Sequence, residues 1–312
     1  MSDTKMRDRF RGALVGVAVG DALGALFEGC SPGVSCEQVE APLRHALRPL
    51  RYTDDTAMTM GLARSLLQRG GVDGGHLAAT FAEQFRAEPW RGYGPGPPRV
   101  FSQLEAGVAW DDAAKQLFGG EGSLGNGGAM RVAPAALAAF PDLARTASLA
   151  HDSARVTHAH ELGMEGAALQ ACAISLLLQG VGAEGAEVVI SALRPHVTSP
   201  VLRERLERVA SLLPSDPSPD QVVTRLGNGI TALEAVPAAL AACLLHLHSF
   251  RDVVCFAIGL GGDSDTIGAM AGALAGAHHG ESAIPRAWRE RVEGVRELVQ
   301  LADELLELVR HG

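Results

Sequence analysis

Glycine recurs at every fourth position in two parts of the chain: Gly12, Gly16, Gly20 and Gly24 near one end, and Gly268, Gly272 and Gly276 near the other. That spacing lines each set along one side of an α-helix. A glycine in a helix interior costs about 1 kcal/mol relative to alanine, so a stripe of them needs a compensating contact. The simplest is an approach of backbone to backbone that a Cβ would forbid. Both helices are therefore expected at the centre of the protein, where they can lie against each other.

The rest of the chain agrees with a helical fold. Aromatic residues make up 4% and there are only six isoleucines, whereas strands favour β-branched and aromatic residues. Apolar residues recur at three- and four-residue spacing over 56–67, 160–179, 231–247 and 287–309, which predicts helices there. Residues 89–99, 119–128 and 214–220 are too rich in Gly and Pro to be helix interiors. Composition is the same on both sides of each break, so the expectation is one all-α domain, a compact helical bundle spanning 1–312.

Charge and cysteine content narrow the function classes. A net charge of −9 with scattered basic residues argues against a nucleic-acid partner. Five cysteines with no CxxC pair read as reduced thiols. No cleavable leader is evident, and no run of about 18 uncharged apolar residues was found, Glu234–His248 coming nearest. The expectation is a soluble cytoplasmic protein without a membrane partner.

Three acidic segments carry the chemistry. GLGGDSDTIG at 259–268 places Asp263, Asp265 and Thr266 at the start of the second glycine-striped helix. One Asp suffices to cap a helix; a second nearby carboxylate repels the first unless a cation such as Mg²⁺ or Mn²⁺ lies between them. YTDDTAM at 52–58 repeats the pattern with Thr53, Asp54 and Asp55. Each segment alone reads as a cap or as half of a metal site; together they could hold two cations, a recurring hydrolytic device. GDALGALFEG at 20–29 adds Asp21 within the first glycine helix and Glu28 at its exit, the latter a surface residue or a site residue.

Other segments offer binding groups. GSLGNGGAMR at 122–131 is either an ordinary loop or a cradle of unhindered N–H groups for a pyrophosphate. His158, in VTHAHELG, could cap, pack or touch a ligand. His151–Asp152 superficially resembles the paired ligands of metal-dependent phosphohydrolases but has no matching distant His and Asp by any spacing rule, and His246/His248 and His278–His279 point to different sides of their helices and read as packing or solvent residues.

GDALGALFE, YTDDTAM, GNGGAMR, the Thr157–His158 pair and LGGDSDTIGAMAGALAGA follow one another in the order found in the ADP-ribosylglycohydrolase family. The chain resembles that family over nearly its whole length. RGYGPG at 91–96, GSLGNGGAMR and LGNGITALEAVP at 226–237 make it most similar to the ADP-ribosylserine hydrolase branch.

The resemblance implies a metal-dependent hydrolase with a binuclear Mg²⁺ centre, Mn²⁺ being an alternative metal. It implies Thr53, Asp54 and Asp55 as one ligand group and Asp263, Asp265 and Thr266 as the other, with Glu28 as acid/base beside them. Asp54 and Asp263 are implied catalytic residues as well. Gly122, Ser123, Leu124, Gly125, Asn126 and His158 fall around the diphosphate and distal ribose, Phe118 and Ile230 at the adenine, and Gly92 at another lining position. Leu124 departs from the branch, which has an aromatic there. The implied substrates are serine-linked ADP-ribosylated proteins, with poly(ADP-ribose) and O-acetyl-ADP-ribose as further ones, ADP-ribose as product and a monomeric enzyme. Rival readings are an ADP-ribosylarginine hydrolase of the dinitrogenase reductase-activating type and a non-catalytic ADP-ribose-binding module.

Overall fold

The structure, a computed structural model, describes residues 2–45 and 48–311. Its centre is built from α1 (Asp3–Gly24), α2 (Asp54–Arg69), α3 (Glu161–Gln179), α4 (Ala232–Leu245), α5 (Ser264–His279) and α6 (Val295–His311), with shorter helices wrapped around them. Among the described residues there is no strand, only the isolated bridges Leu50–Val292 and Gly125–Thr231.

The glycine stripes meet. α1 and α5 run antiparallel with Gly12 against Gly276, Gly16 against Gly272, Gly20 against Gly268, and Gly24 against Ser264. A Cβ placed on Gly16 would lie 2.1 Å from the Gly272 carbonyl oxygen, and one on Gly20 only 1.9 Å from that of Gly268. Neither neighbour can give way, because both are backbone. The lost helix propensity is thus offset by a contact only glycine permits, and both helices are buried along most of their length.

Against this pair pack α3, α4 and α6. α3 opens with His160, whose Nδ1 accepts from the Leu162 N–H, and closes at Gly180 in the left-handed conformation (φ 94°). Gln170 on α3 donates to the buried Met270 carbonyl of α5 at 3.0 Å. By length and composition α3 could cross a membrane, although it carries two charges, Glu161 and Glu165, in its N-terminal turns; 89% of the apolar window is buried inside the protein, as in a core helix. On the outer side, Arg11 of α1 makes a bidentate pair with Asp303 of α6 at 2.8 and 2.7 Å.

Two expectations are corrected. The apolar period over 287–309 is not one helix: it divides into Arg286–Arg291 and α6, with Val292 extended and Gly294 at φ 77°. Leu50 bridges the break, its N–H donating to Arg291 O and its carbonyl accepting from the Glu293 N–H. Burial of Trp288 and Leu298 keeps the apolar pattern in step on both sides, so periodicity could not reveal the interruption. Nor are all cysteines thiols: Cys36 is bonded to Cys255, joining the helices Cys36–His45 and Phe250–Gly259. A pair separated by 219 positions has no local spacing signature, and folding brings its Cα atoms to 4.9 Å. Cys30, Cys172 and Cys243 are free.

Candidate active site

The first acidic segment is held from below by Asp21, which is fully buried in α1. Its carboxylate accepts from the Thr53 N–H at 2.9 and 3.0 Å, from the Thr56 N–H at 3.1 Å and from the Thr56 hydroxyl at 2.5 Å. Asp21 therefore caps the start of α2 from another helix and sets where Asp54 and Asp55 emerge. From above, Arg91 accepts the Asp54 N–H at 2.7 Å through its carbonyl. The Arg91 guanidinium is fixed by the Tyr52 carbonyl, Glu88 and Glu293, and stacks over the Tyr52 ring.

The second segment reaches the first. Thr266 at the start of α5 donates through its hydroxyl to Asp55 Oδ2 at 3.5 Å, and Thr53 donates to the same oxygen at 2.9 Å. Asp263 accepts from the Asn126 amide, and its N–H donates to Asn228 O at 2.9 Å. The loop carrying Glu28 is pinned alongside by paired bonds, Gly29 N to Gly262 O at 2.8 Å and Gly262 N to Cys30 O at 3.0 Å. One carboxylate oxygen from each of Glu28, Asp263 and Asp265 lies within 4.8 Å of the other two.

So many acids in one place resist ionisation. Burial, joined by Asp263, pushes Asp265 up to about 7. Burial likewise brings Asp21 to about 7, against the opposing hydrogen bonds from Thr56 and Thr53. Asp54 and Asp55 are raised by burial and then by Asp21 and Asp265; Asp263 is raised chiefly by burial. Glu28 is exposed, and its pKa is raised mainly by the Asp265 charge. Among the described residues, Asp55 Oδ1 is buried without a hydrogen-bond partner. Hard oxygen donors, excess negative charge and an orphaned carboxylate oxygen fit a divalent cation.

Glu28, Asp54, Asp55, Asp263 and Asp265 line a cavity of about 560 Å³ that also takes in Gly92, Phe118, Gly122, Ser123, Leu124, Gly125, Asn126, His158 and Ile230. Thr53 is the exception among the metal-ligand and substrate-binding residues that the family resemblance implied. It does not line the cavity, because its hydroxyl is turned onto Asp55. The 122–126 loop is stitched to the 230–232 segment by Asn126 N to Ile230 O and Ala232 N to Leu124 O, both 3.0 Å. Among the described residues, the Ser123 and Leu124 N–H groups have no acceptor. Gly127 must be glycine, since a Cβ there would lie 2.5 Å from His158 Cε1. At the mouth, Phe118 is exposed and holds a left-handed backbone (φ 52°, ψ 47°) that a bulky residue rarely adopts.

The ADP-ribosylglycohydrolase family model matches residues 2–312. The chain belongs to the ADP-ribosylglycohydrolase family. It is 38% identical to the ADP-ribosylhydrolase ARH3 of Mus musculus, over 95% of this chain and 90% of the relative. Identity to the ADP-ribosyl-[dinitrogen reductase] glycohydrolase of Rhodospirillum rubrum is 28%, covering 99% of both chains. A solved ADP-ribosylglycohydrolase-related protein complex superposes with a TM-score of 0.74 at 28% identity, covering 98% of this chain and 99% of that one. The protein is thus an enzyme that hydrolyses glycosyl bonds, and its similarity favours the ARH3-like branch.

In this glycohydrolase several residues matter that sequence patterns left aside. Asp21 was visible as the one carboxylate between Gly12 and Gly24, but nothing local tied it to Thr53. Arg91 and Glu293 lie in segments with no catalytic pattern, and Arg91 was noticed only as part of RGYGPG. Gly94, Pro95, Glu121, Met130, His160 and Thr231 also line the cavity. His151, Asp152, His246, His248, His278 and His279 are not among its lining residues.

Proposed function

We propose that this enzyme removes ADP-ribose from serine-linked ADP-ribosylated proteins, with two Mg²⁺ ions (or Mn²⁺) among the carboxylates that line the cavity. The observation that carries the reading is the convergence of both acidic segments, Glu28 and the 122–126 loop on one cavity. Higher identity to ARH3 than to the dinitrogen reductase glycohydrolase supports serine over arginine linkage.

Asp54, Asp55, Asp263, Asp265 and Thr266, with Thr53 behind them, would hold the ions. Bound there, the metals supply positive charge that orients the distal ribose hydroxyls and offsets the crowded carboxylates. The protein's own groups do the rest. Ser123 and Leu124 offer backbone N–H groups to the diphosphate, and Phe118 offers a stacking face to the adenine at the mouth. Leu124 adds apolar contact but no second ring.

Cleavage breaks the bond between C1″ and the serine oxygen. The electron pair stays with the oxygen, which takes a proton from Glu28, and positive charge develops at the ring oxygen and C1″. In the metal-free protein the Asp265 charge raises the Glu28 carboxyl above its ordinary value. Water then adds to C1″ and returns a proton to the Glu28 carboxylate.

Matched serine- and arginine-linked ADP-ribosyl peptides, each with Mg²⁺ and with EDTA, test the proposal. Metal-dependent ADP-ribose release from the serine peptide alone is expected. Release from arginine alone would move the substrate to the rival linkage, and full activity in EDTA would overturn the metal centre. The same reading sets the enzyme in the cytoplasm as a monomer, where the Cys36–Cys255 bond would face reducing thiols.

A further inference from the structure

Behind the cavity wall lies a buried polar chain that no step above uses. Arg131 is fully buried, its guanidinium stacked on the Phe81 ring. It donates to the Gly127 carbonyl at 2.8 Å, to the Ser153 carbonyl at 3.1 Å and to Thr157 Oγ1 at 2.8 Å. Thr157 Oγ1 in turn lies 2.8 Å from Nδ1 of His158. The other ring nitrogen, Nε2, has no hydrogen-bond partner among the described residues, and the ring lines the cavity beside Gly125 and Gly127.

Proton counting orients this chain. A guanidinium carries donors and no acceptor, so Thr157 Oγ1 must accept from Arg131. The hydroxyl has one proton of its own, and Thr157 is fully buried. Among the described residues, His158 Nδ1 is the one acceptor within reach of that proton. Were Nδ1 protonated instead, the buried hydroxyl proton would be left unpaired. Thr157 therefore donates to Nδ1, and the imidazole proton sits on Nε2.

We propose that Arg131 and Thr157 are positioning residues that lock His158 in its Nε2–H form, so that it presents a donor to an oxygen of the diphosphate or distal ribose. This rests on the cavity taking ADP-ribose. A neutral donor suits the place: burial first and the Arg131 charge second push His158 down to about 3, so the ring donates without becoming an ion. The chain also links the ligand donor to the glycine loop, because Arg131 holds the Gly127 carbonyl with the same guanidinium that holds Thr157.

Histidine-labelled protein examined by long-range ¹H–¹⁵N correlation, with His158 assigned through His158→Asn, reads the tautomer directly and needs no substrate. The full-length wild type is expected to show a protonated Nε2 and an acceptor Nδ1. Thr157→Val is expected to lose that single form and to weaken ADP-ribose binding, by calorimetry, about tenfold or more. Thr157→Ser restores both, which a merely space-filling role would not require. A wild-type His158 protonated on Nδ1 overturns the proposal, as does a Thr157→Val protein with unchanged tautomer or unchanged affinity. Failure of the wild type to bind ADP-ribose would overturn the substrate reading and the donor role with it, while the spectrum would still decide the tautomer.

Discussion

Thr266 Oγ1 lies 3.5 Å from Asp55 Oδ2, joining side chains 211 positions apart. That contact closes the two acidic segments into one group of oxygen donors. Asp54→Ala and Asp265→Ala are each expected to lower turnover by at least about a hundredfold. Calorimetric titration with Mg²⁺ and with Mn²⁺ should show the binding heat diminished in both variants. Full turnover by either variant would separate the acids from the reaction.

Glu28 projects from a loop pinned at Gly29 and Gly262 rather than from the ligand-bearing helices. Glu28→Gln keeps the shape and removes the proton, so turnover is expected to fall about 10²- to 10⁴-fold. Metal and ADP-ribose affinities should stay within about threefold, because Asp54, Asp55 and Asp265 are untouched. Equal losses in turnover and in metal affinity would instead make Glu28 a ligand.

Gly16 and Gly272 test the central packing away from the cavity. A Cβ on Gly16 meets carbonyl oxygen at 2.1 Å, so Gly16→Ala is expected to cost about 2 kcal/mol or more despite its better helix propensity. Gly71→Ala, where a Cβ meets nothing within 4 Å, is the control and should be near neutral. Urea unfolding of the two variants against wild type measures the contrast.

Acidity and metal should compete for the same carboxylates. Asp21 and Asp265 rise from 3.8 to about 7 in the folded protein. Between those values the metal-free folded state binds protons that the unfolded chain has released, so these groups' contribution to stability falls as pH rises. His158 and His278, lowered from 6.5 to about 3 and about 4, act in the opposite direction below pH 6.5, and cancel when one buffer is compared with and without metal. The rise in Tm on adding Mg²⁺ to EDTA-treated protein is therefore expected to be larger at about pH 7.5 than at about pH 5. A constant increment across that range would contradict a cation bound among these acids.

Much of the architecture is legible before folding is considered. Four-residue glycine spacing marked α1 and α5 as central, and TDDT and GDSDT marked the two helix starts. These signals are local: helix periodicity, caps and chain breaks depend on residues within a few positions of one another. The split at 292–294 escaped notice because Trp288 and Leu298 stay buried across it, leaving the apolar pattern continuous.

The sequence by itself determined the all-helical class, the tight helix pair and the inventory of oxygen donors. Tertiary structure alone decided that Asp55 meets Thr266, that Asp21 caps a helix other than its own, that Cys36 finds Cys255, and that Thr157 hands Arg131's constraint on to His158. The Asp55, Asp21, Cys36 and Arg131 contacts join groups far apart along the chain, and the last step passes only between neighbours. Their geometry depends on how the whole set of helices packs, and the near-contact of glycine backbones in α1 and α5 sets how closely the two ends of the chain approach.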